Sequence, residues 1–254
     1  DVPINEAPAD LIPGDIDNEK AFDFFQLMEF RTLADRFAPE KAKTQRDYRL
    51  VQSEQELDDL VAAIESAGKT AFDTETTHQD PMRAELVGLS FSTEPGSAWY
   101  VPVQGSQELT SEVLPLDLKK VLAALKPMLE NKKIAKAAHN AKYDLIVLSH
   151  YDVNVQGLFF DTMVASYLLN PSARQHNLDA LALAQFNIKK IPTSAIIGKG
   201  AKEITMAEAP IEQVSEYACE DADVTLQLWQ AFEPSINDLN LKSLLDDVEM
   251  PLID

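Results

Sequence analysis

The period of the apolar positions changes along the chain. Between residues 19 and 37, Phe22, Phe25, Phe30, Leu33 and Phe37 share one side of a helical wheel, with Met28 at its margin, so this segment predicts one helix seeking a partner surface. QSEQELDDLVAAIESAG, residues 52–68, predicts a second helix, with Ser53 and Glu56 in capping-box spacing and Gly68 as its stop. The pattern then becomes strand-like. KTAFDTETT, ELVGLSFST and SAWYVPV are rich in β-branched and aromatic residues, the last two are joined by a turn at Pro95-Gly96, and together they predict an antiparallel meander. Beyond Gln104 the order is a helix (LPLDLKKVLAALKPMLE), a short strand (KKIAKAAH), a helix (AKYDLIVLSHY), a strand end in GLFFDTM and a helix from TMVASYLLN. A last long helix runs from about 209 to 232, with Pro210 where a first turn tolerates it. Three strands followed by alternating helices and strands predict an α/β sheet of mixed direction.

Composition adds limits. A chain of 254 residues has room for one main domain, and the acidic residues and three prolines of 1–18 read as a flexible acidic arm attached to it. No run nears the roughly 18 apolar residues that cross a bilayer and no signal segment opens the chain, so a soluble, cytoplasmic protein is expected. The single cysteine, Cys219, excludes an intrachain disulfide and a C-x-x-C zinc motif.

The net charge of −20 by itself argues against a polyanionic partner, but its distribution reverses that reading. Residues 132–202 hold nine basic groups against four acidic ones, so one surface of an otherwise acidic chain is suited to meet phosphates. Lys136, Lys142, Arg174 and Lys199 are the candidates nearest the chemistry described next.

In FDTET, Asp73 and Glu75 are two residues apart on a strand and share a face, with Thr74 and Thr76 on the other. Two such anions are stable when solvated, protonated or held by a cation, and Mg²⁺ suits carboxylate oxygens. For a lone D-x-E, an edge strand with its charges turned to water is the simpler reading. HNAKYD sets Asp144 in the first turn of a helix after a short strand, where ligands of open sheets collect and where a helix dipole also favours an acid. YACEDAD puts Tyr217 and Asp221 on one side of the last helix, with Glu220 and Asp223 pointing elsewhere.

Taken in order, FDTET, HNAKYD, FDTMVASYLLNP, the GKG of Gly198–Gly200 and YACEDADVTLQL resemble the DEDD exonuclease superfamily in its tyrosine branch, specifically the 3′-to-5′ proofreading exonuclease domain of bacterial DNA polymerase I. The tail DVEMPLID resembles the segment leading into a polymerase domain. The resemblance implies a ribonuclease H-like fold with a mixed five-stranded sheet. It implies a division into a helical linker (19–47), an exonuclease domain (48–236) and the start of a connection to a polymerase domain (237–254). It further implies hydrolysis of single-stranded or frayed DNA from a 3′ end, releasing nucleoside monophosphates, by a cytoplasmic monomer in cis to its polymerase.

On matching positions, the resemblance implies that Asp73, Glu75 and Asp221 hold one divalent ion and that Asp73 and Asp144 hold a second. These are Mg²⁺, with Mn²⁺ or Zn²⁺ as substitutes, while Tyr217 aligns the attacking water. His139 and Asn140 match positions that in the family help bind the terminal nucleotides, the alternatives being a polar strand end and a helix cap; Thr74, Thr76 and, from the basic window, Arg174 and Lys199 join them as DNA-binding candidates, and Tyr143 either stacks on a base or belongs to the core. Two positions depart from the family pattern: Gln79 stands where a wedging Leu is common, and Thr193 where an aromatic precedes G-K-G. Two competing expectations are an exoribonuclease of the same superfamily and a catalytically silent DNA-holding domain.

Overall fold

The computed structural model describes residues 16–28, 30–37, 46–105 and 113–253, so the reading of an arm falls almost wholly outside the described residues. The chain divides into two units, residues 1–42 and 43–254. In the first, the expected single helix is two: α1 (Asn18–Leu27) and α2 (Arg31–Phe37). The break has a local cause in aromatic packing, because the reversal stacks Phe25 on Phe37 with ring centroids 5.5 Å apart, a contact a straight helix cannot make.

The second unit is built on a sheet of six described strands in the order β1-β4-β3-β2-β5-β6. The strands are β1 (Asp47–Leu50), β2 (Lys69–Thr76), β3 (Leu86–Glu94), β4 (Ser97–Pro102), β5 (Ala135–Ala138) and β6 (Leu158–Asp161). The meander β2-β3-β4 is antiparallel as expected, and β5 and β6 add in parallel. The sixth strand corrects the count of five: β1, the four residues DYRL, pairs in parallel with the outer edge of β4. It shields that edge from other chains.

Helices cover both faces. Helices α3 (Glu54–Ala67), α4 (Leu118–Leu129) and α5 (Ala141–Ser149) pack on one face around Phe72, Leu89 and Phe91. On the other lie α6 (Thr162–Leu169), α7 (Leu178–Phe186) and the 28-residue α9 (Ile211–Asp238), against Ala71, Ala137, Phe160 and Tyr100. The five-residue α8 (Thr193–Ile197) precedes α9. Ser53 caps α3 by accepting from the Glu56 N–H, and Gly68 ends it at φ 64°, as expected, whereas the Glu56 carboxylate accepts from the Gln52 N–H rather than closing the box on Ser53. Alternate residues of β2 enter different cores, Ala71 one and Phe72 the other. The central strand therefore loses both faces to packing, with each fully buried large side chain contributing about 1.5–3 kcal/mol.

Candidate active site

Strand β2 delivers Asp73 and Glu75 to the α9 face, at the end of the sheet where its pairing with β5 has ceased after Ala71. A register shift between Glu75 and Thr76 ends the regular ladder to β3, the kind of bulge that re-aims side chains. Helix α9 supplies Asp221 and, one turn earlier, Tyr217. Carboxylate oxygens of Asp73, Glu75 and Asp221 all lie within 4.8 Å of one another, with Glu75 and Asp221 6% exposed. Residues as much as 148 positions apart in the chain (73 to 221) thus come together.

Asp144 comes from the opposite side of the strand. It lies in the first turn of α5, is 2% exposed, and accepts through Oδ1 from both the N–H (3.1 Å) and the hydroxyl of Thr74. Past Ala71 that edge of β2 has no strand neighbour, so the carboxylate satisfies a backbone donor that the sheet leaves open. Asp144 stands outside the tight group of three, yet its charge reaches Asp73 and raises its pKa.

Four neighbouring carboxylates, those of Glu75, Asp144 and Asp221 buried and that of Asp73 half-buried, repel one another. Burial first, then the charges of Asp144, Glu75 and Asp221, push Asp73 well above the usual carboxylate range. Burial and Asp221 do the same to Glu75. Burial lifts Asp144 to about 7 despite the Thr74 bonds, and Asp221 to about 6 despite Lys190. Glu75 Oε1 has no hydrogen-bond partner although buried. An all-oxygen donor set with an orphaned carboxylate oxygen fits a hard divalent cation.

The floor beneath Glu75 depends on a glycine. Gly88 pairs with Glu75 across the sheet, and a Cβ at Gly88 would stand 2.3 Å from the Tyr100 hydroxyl, which therefore reaches under the carboxylates. Burial and the charge of Glu75 keep that phenol protonated. A cleft of about 670 Å³ opens from Glu75 and is lined by Thr76, Gln79, Tyr143, Thr193 and Tyr217 among others. Thr193 does more than fill the place of an aromatic: its hydroxyl is 3.0 Å from the Tyr217 hydroxyl. Burial and the nearby Asp221 raise the Tyr217 pKa well above its ordinary value, so it stands as a neutral phenol.

The nucleic-acid candidates separate. Thr76 and Tyr143 line the cleft and hydrogen-bond each other through their hydroxyls. Thr74 is buried and committed to Asp144. His139 Nδ1 meets the Thr162 hydroxyl at 2.8 Å, and burial pushes its pKa down to about 3. Asn140 is exposed at φ 67° and makes no side-chain cap, while Lys142, Arg174 and Lys199 are exposed outside the cleft lining. Lys136 is a correction: it is fully buried, donating to the carbonyls of Asn131, Ile134 and Gln156 at 2.8–3.0 Å, and cannot reach a phosphate.

Three residues went unnoticed in the sequence. Asp161 caps two helices, accepting from Asn140 and Ala141 at the start of α5 and from Met163 and Val164 at the start of α6. Lys190 is buried against Asp221, and Tyr100 lies under Glu75. D-T at a strand–helix junction is an N-cap signal that could have flagged Asp161. Nothing local marks the other two.

A mixed sheet sandwiched by helices, with carboxylates from its central strand and two flanking helices at one end, defines a ribonuclease H-like exonuclease fold. Escherichia coli RNase D, an exoribonuclease involved in structured RNA processing, matches it with a TM-score of 0.62 over 82% of this chain and 49% of its own, at 15% identity. Brucella melitensis NrnC matches with a TM-score of 0.58 over 82% of this chain and 89% of its own, at 19% identity. The chain belongs to the 3′-5′ exonuclease family, which matches residues 48–237. DNA polymerase I of Pseudomonas aeruginosa is 38% identical over 258 residues, covering 96% of this chain and 28% of that protein. The chain thus spans little more than a quarter of that relative's length. No helix among the described residues is long and apolar enough to cross a membrane.

Proposed function

We propose that this chain hydrolyses the 3′-terminal phosphodiester of single-stranded or frayed DNA, releasing a nucleoside monophosphate, as the proofreading part of a DNA polymerase I. The observation that carries the reading is the convergence of Asp73, Glu75 and Asp221, the second of which lines a cleft. Asp73, Glu75 and Asp221 would hold one divalent ion and Asp73 with Asp144 a second, Mg²⁺ being the expected metal. Such a pair, when bound, neutralises charge on the attacking and leaving oxygens of an in-line displacement.

The remaining work falls to the chain's own side chains. Tyr217, kept protonated and steadied by Thr193, orients the attacking water by hydrogen bonding rather than by taking its proton. Thr76 and Tyr143 form a wall against which a terminal base rests. Thr74 fixes the rotamer of Asp144. The exposed Lys142, Arg174 and Lys199 would meet the strand's phosphates.

The test is hydrolysis of a 3′-labelled single strand in Mg²⁺ or Mn²⁺ and in chelator. Chelation abolishes product, as does Asp73→Ala with Glu75→Ala in a folded chain, while Tyr217→Phe lowers turnover and leaves metal binding intact. A folded double variant that still releases mononucleotides would overturn the reading. The likeness to RNase D supports a second reading, an exoribonuclease, and rates on matched DNA and RNA oligonucleotides separate the two.

A further inference from the structure

One cation is already present among these carboxylates. The Lys190 side chain is 1% exposed, paired with Asp221 and, at 3.1 Å, with Asp179. Its Nζ lies 5.3 Å from the centre of the Tyr217 ring, so it sits between both site residues of α9. Burying an ammonium is costly unless anions surround it, and here they do.

The backbone beside it is anchored. The Ile191 N–H donates to Glu220 Oε2 at 2.6 Å, and the other oxygen of Glu220 accepts from Arg46 at 2.8 Å. Beyond that anchor the side chain is a flexible four-carbon stem. Its two partners differ in a way that gives the ammonium somewhere to go: the Asp221 side chain is 9% exposed and that of Asp179 60% exposed.

We propose that Lys190 is the built-in counter-ion of the metal-free site, and that a divalent cation entering between Asp73, Glu75 and Asp221 displaces its ammonium from Asp221 toward Asp179 and solvent. The inference rests on the metal reading of the preceding subsection. In the metal-free state Lys190 offsets part of the mutual repulsion of the carboxylates, and in the loaded state it would be a like charge beside the ion. Lys190 is therefore a positioning residue that sets metal affinity.

Calorimetric titration of the 254-residue chain with Mn²⁺ tests this in the absence of any nucleic acid. Lys190→Met should bind Mn²⁺ roughly tenfold more tightly than the unaltered chain, because the entering ion no longer has to displace an ammonium from Asp221. It should also melt at a lower temperature in chelator and gain more from saturating Mn²⁺, whereas Lys190→Arg, which keeps the charge, stays near the parent. Equal or weaker Mn²⁺ affinity in Lys190→Met overturns the counter-ion role alone. No Mn²⁺ binding to the unaltered chain overturns the metal reading with it. Should Lys190→Met fail to fold, amine acylation of the unaltered chain mapped by mass spectrometry decides. Lys190 is protected in chelator and reacts several-fold faster in saturating Mn²⁺ if displaced, and an unchanged rate refutes displacement.

Discussion

Lys136 takes a charge into the interior where three backbone carbonyls turn inward together at Asn131, Ile134 and Gln156. Replacing it with Met keeps the stem and strands all three acceptors, so Lys136→Met should cost about 3 kcal/mol in urea unfolding while leaving single-strand binding unchanged. Burial also pushes its pKa down to about 8 from 10.5. Between those values the unfolded chain holds the extra proton, so the contribution of this residue to stability rises with pH there, and the Met variant should lack that rise. Gly88→Ala is a second residue-scale case. Its methyl would collide with Tyr100, so the variant should lose about 1–3 kcal/mol and weaken metal binding as the floor beneath Glu75 shifts. Neither role is legible in the sequence: a lysine in a basic window reads as solvated, and a glycine in VGLSFS carries no sign of the tyrosine that crosses it. Period-2 and i,i+4 spacing put Asp73 with Glu75 and Tyr217 with Asp221 on shared faces, but each pair alone reads equally as solvated charge, and it was the resemblance to the exonuclease family that joined them into one site.

At the scale of elements, Asp161 couples two helices to the sheet end that carries the site. Asp161→Ala removes the side-chain acceptor for four helix N–H groups and should cost about 2–4 kcal/mol in unfolding, with Asp161→Asn recovering part of it. Since α5 also carries Asp144, the Ala variant should lose exonuclease turnover beyond what its lowered stability explains. The meander, the capped α3 and the long α9 follow from strong periodic patterns and turn residues. Strand β1 was missed because four residues on an edge, DYRL, carry no alternation long enough to register, and their place is set by pairing with β4. The split of residues 19–37 into α1 and α2 escaped for a related reason: stacking of Phe25 on Phe37 belongs to tertiary packing, while a helical wheel sees only spacing.

For the whole molecule, the burial of several anions in a chain of net charge −20 links metal, protons and stability. Burial raises Asp144 to about 7 and Asp221 to about 6, above the ordinary value of 3.8. The folded chain then binds more protons than the unfolded one across that interval, so the contribution of these groups to stability falls as pH rises through it. A divalent ion held by these carboxylates would replace those protons. The increase in melting temperature produced by saturating Mg²⁺ should accordingly grow from pH 5 to pH 8. A constant increment across that range would show that the ion binds elsewhere.

Crystals soaked in Mn²⁺ and measured at its absorption edge test the central claim without any assay of turnover. Two anomalous peaks about 4 Å apart are predicted, one among Asp73, Glu75 and Asp221 and one between Asp73 and Asp144. Peaks confined to exposed carboxylates, with none at Asp73, would contradict the account.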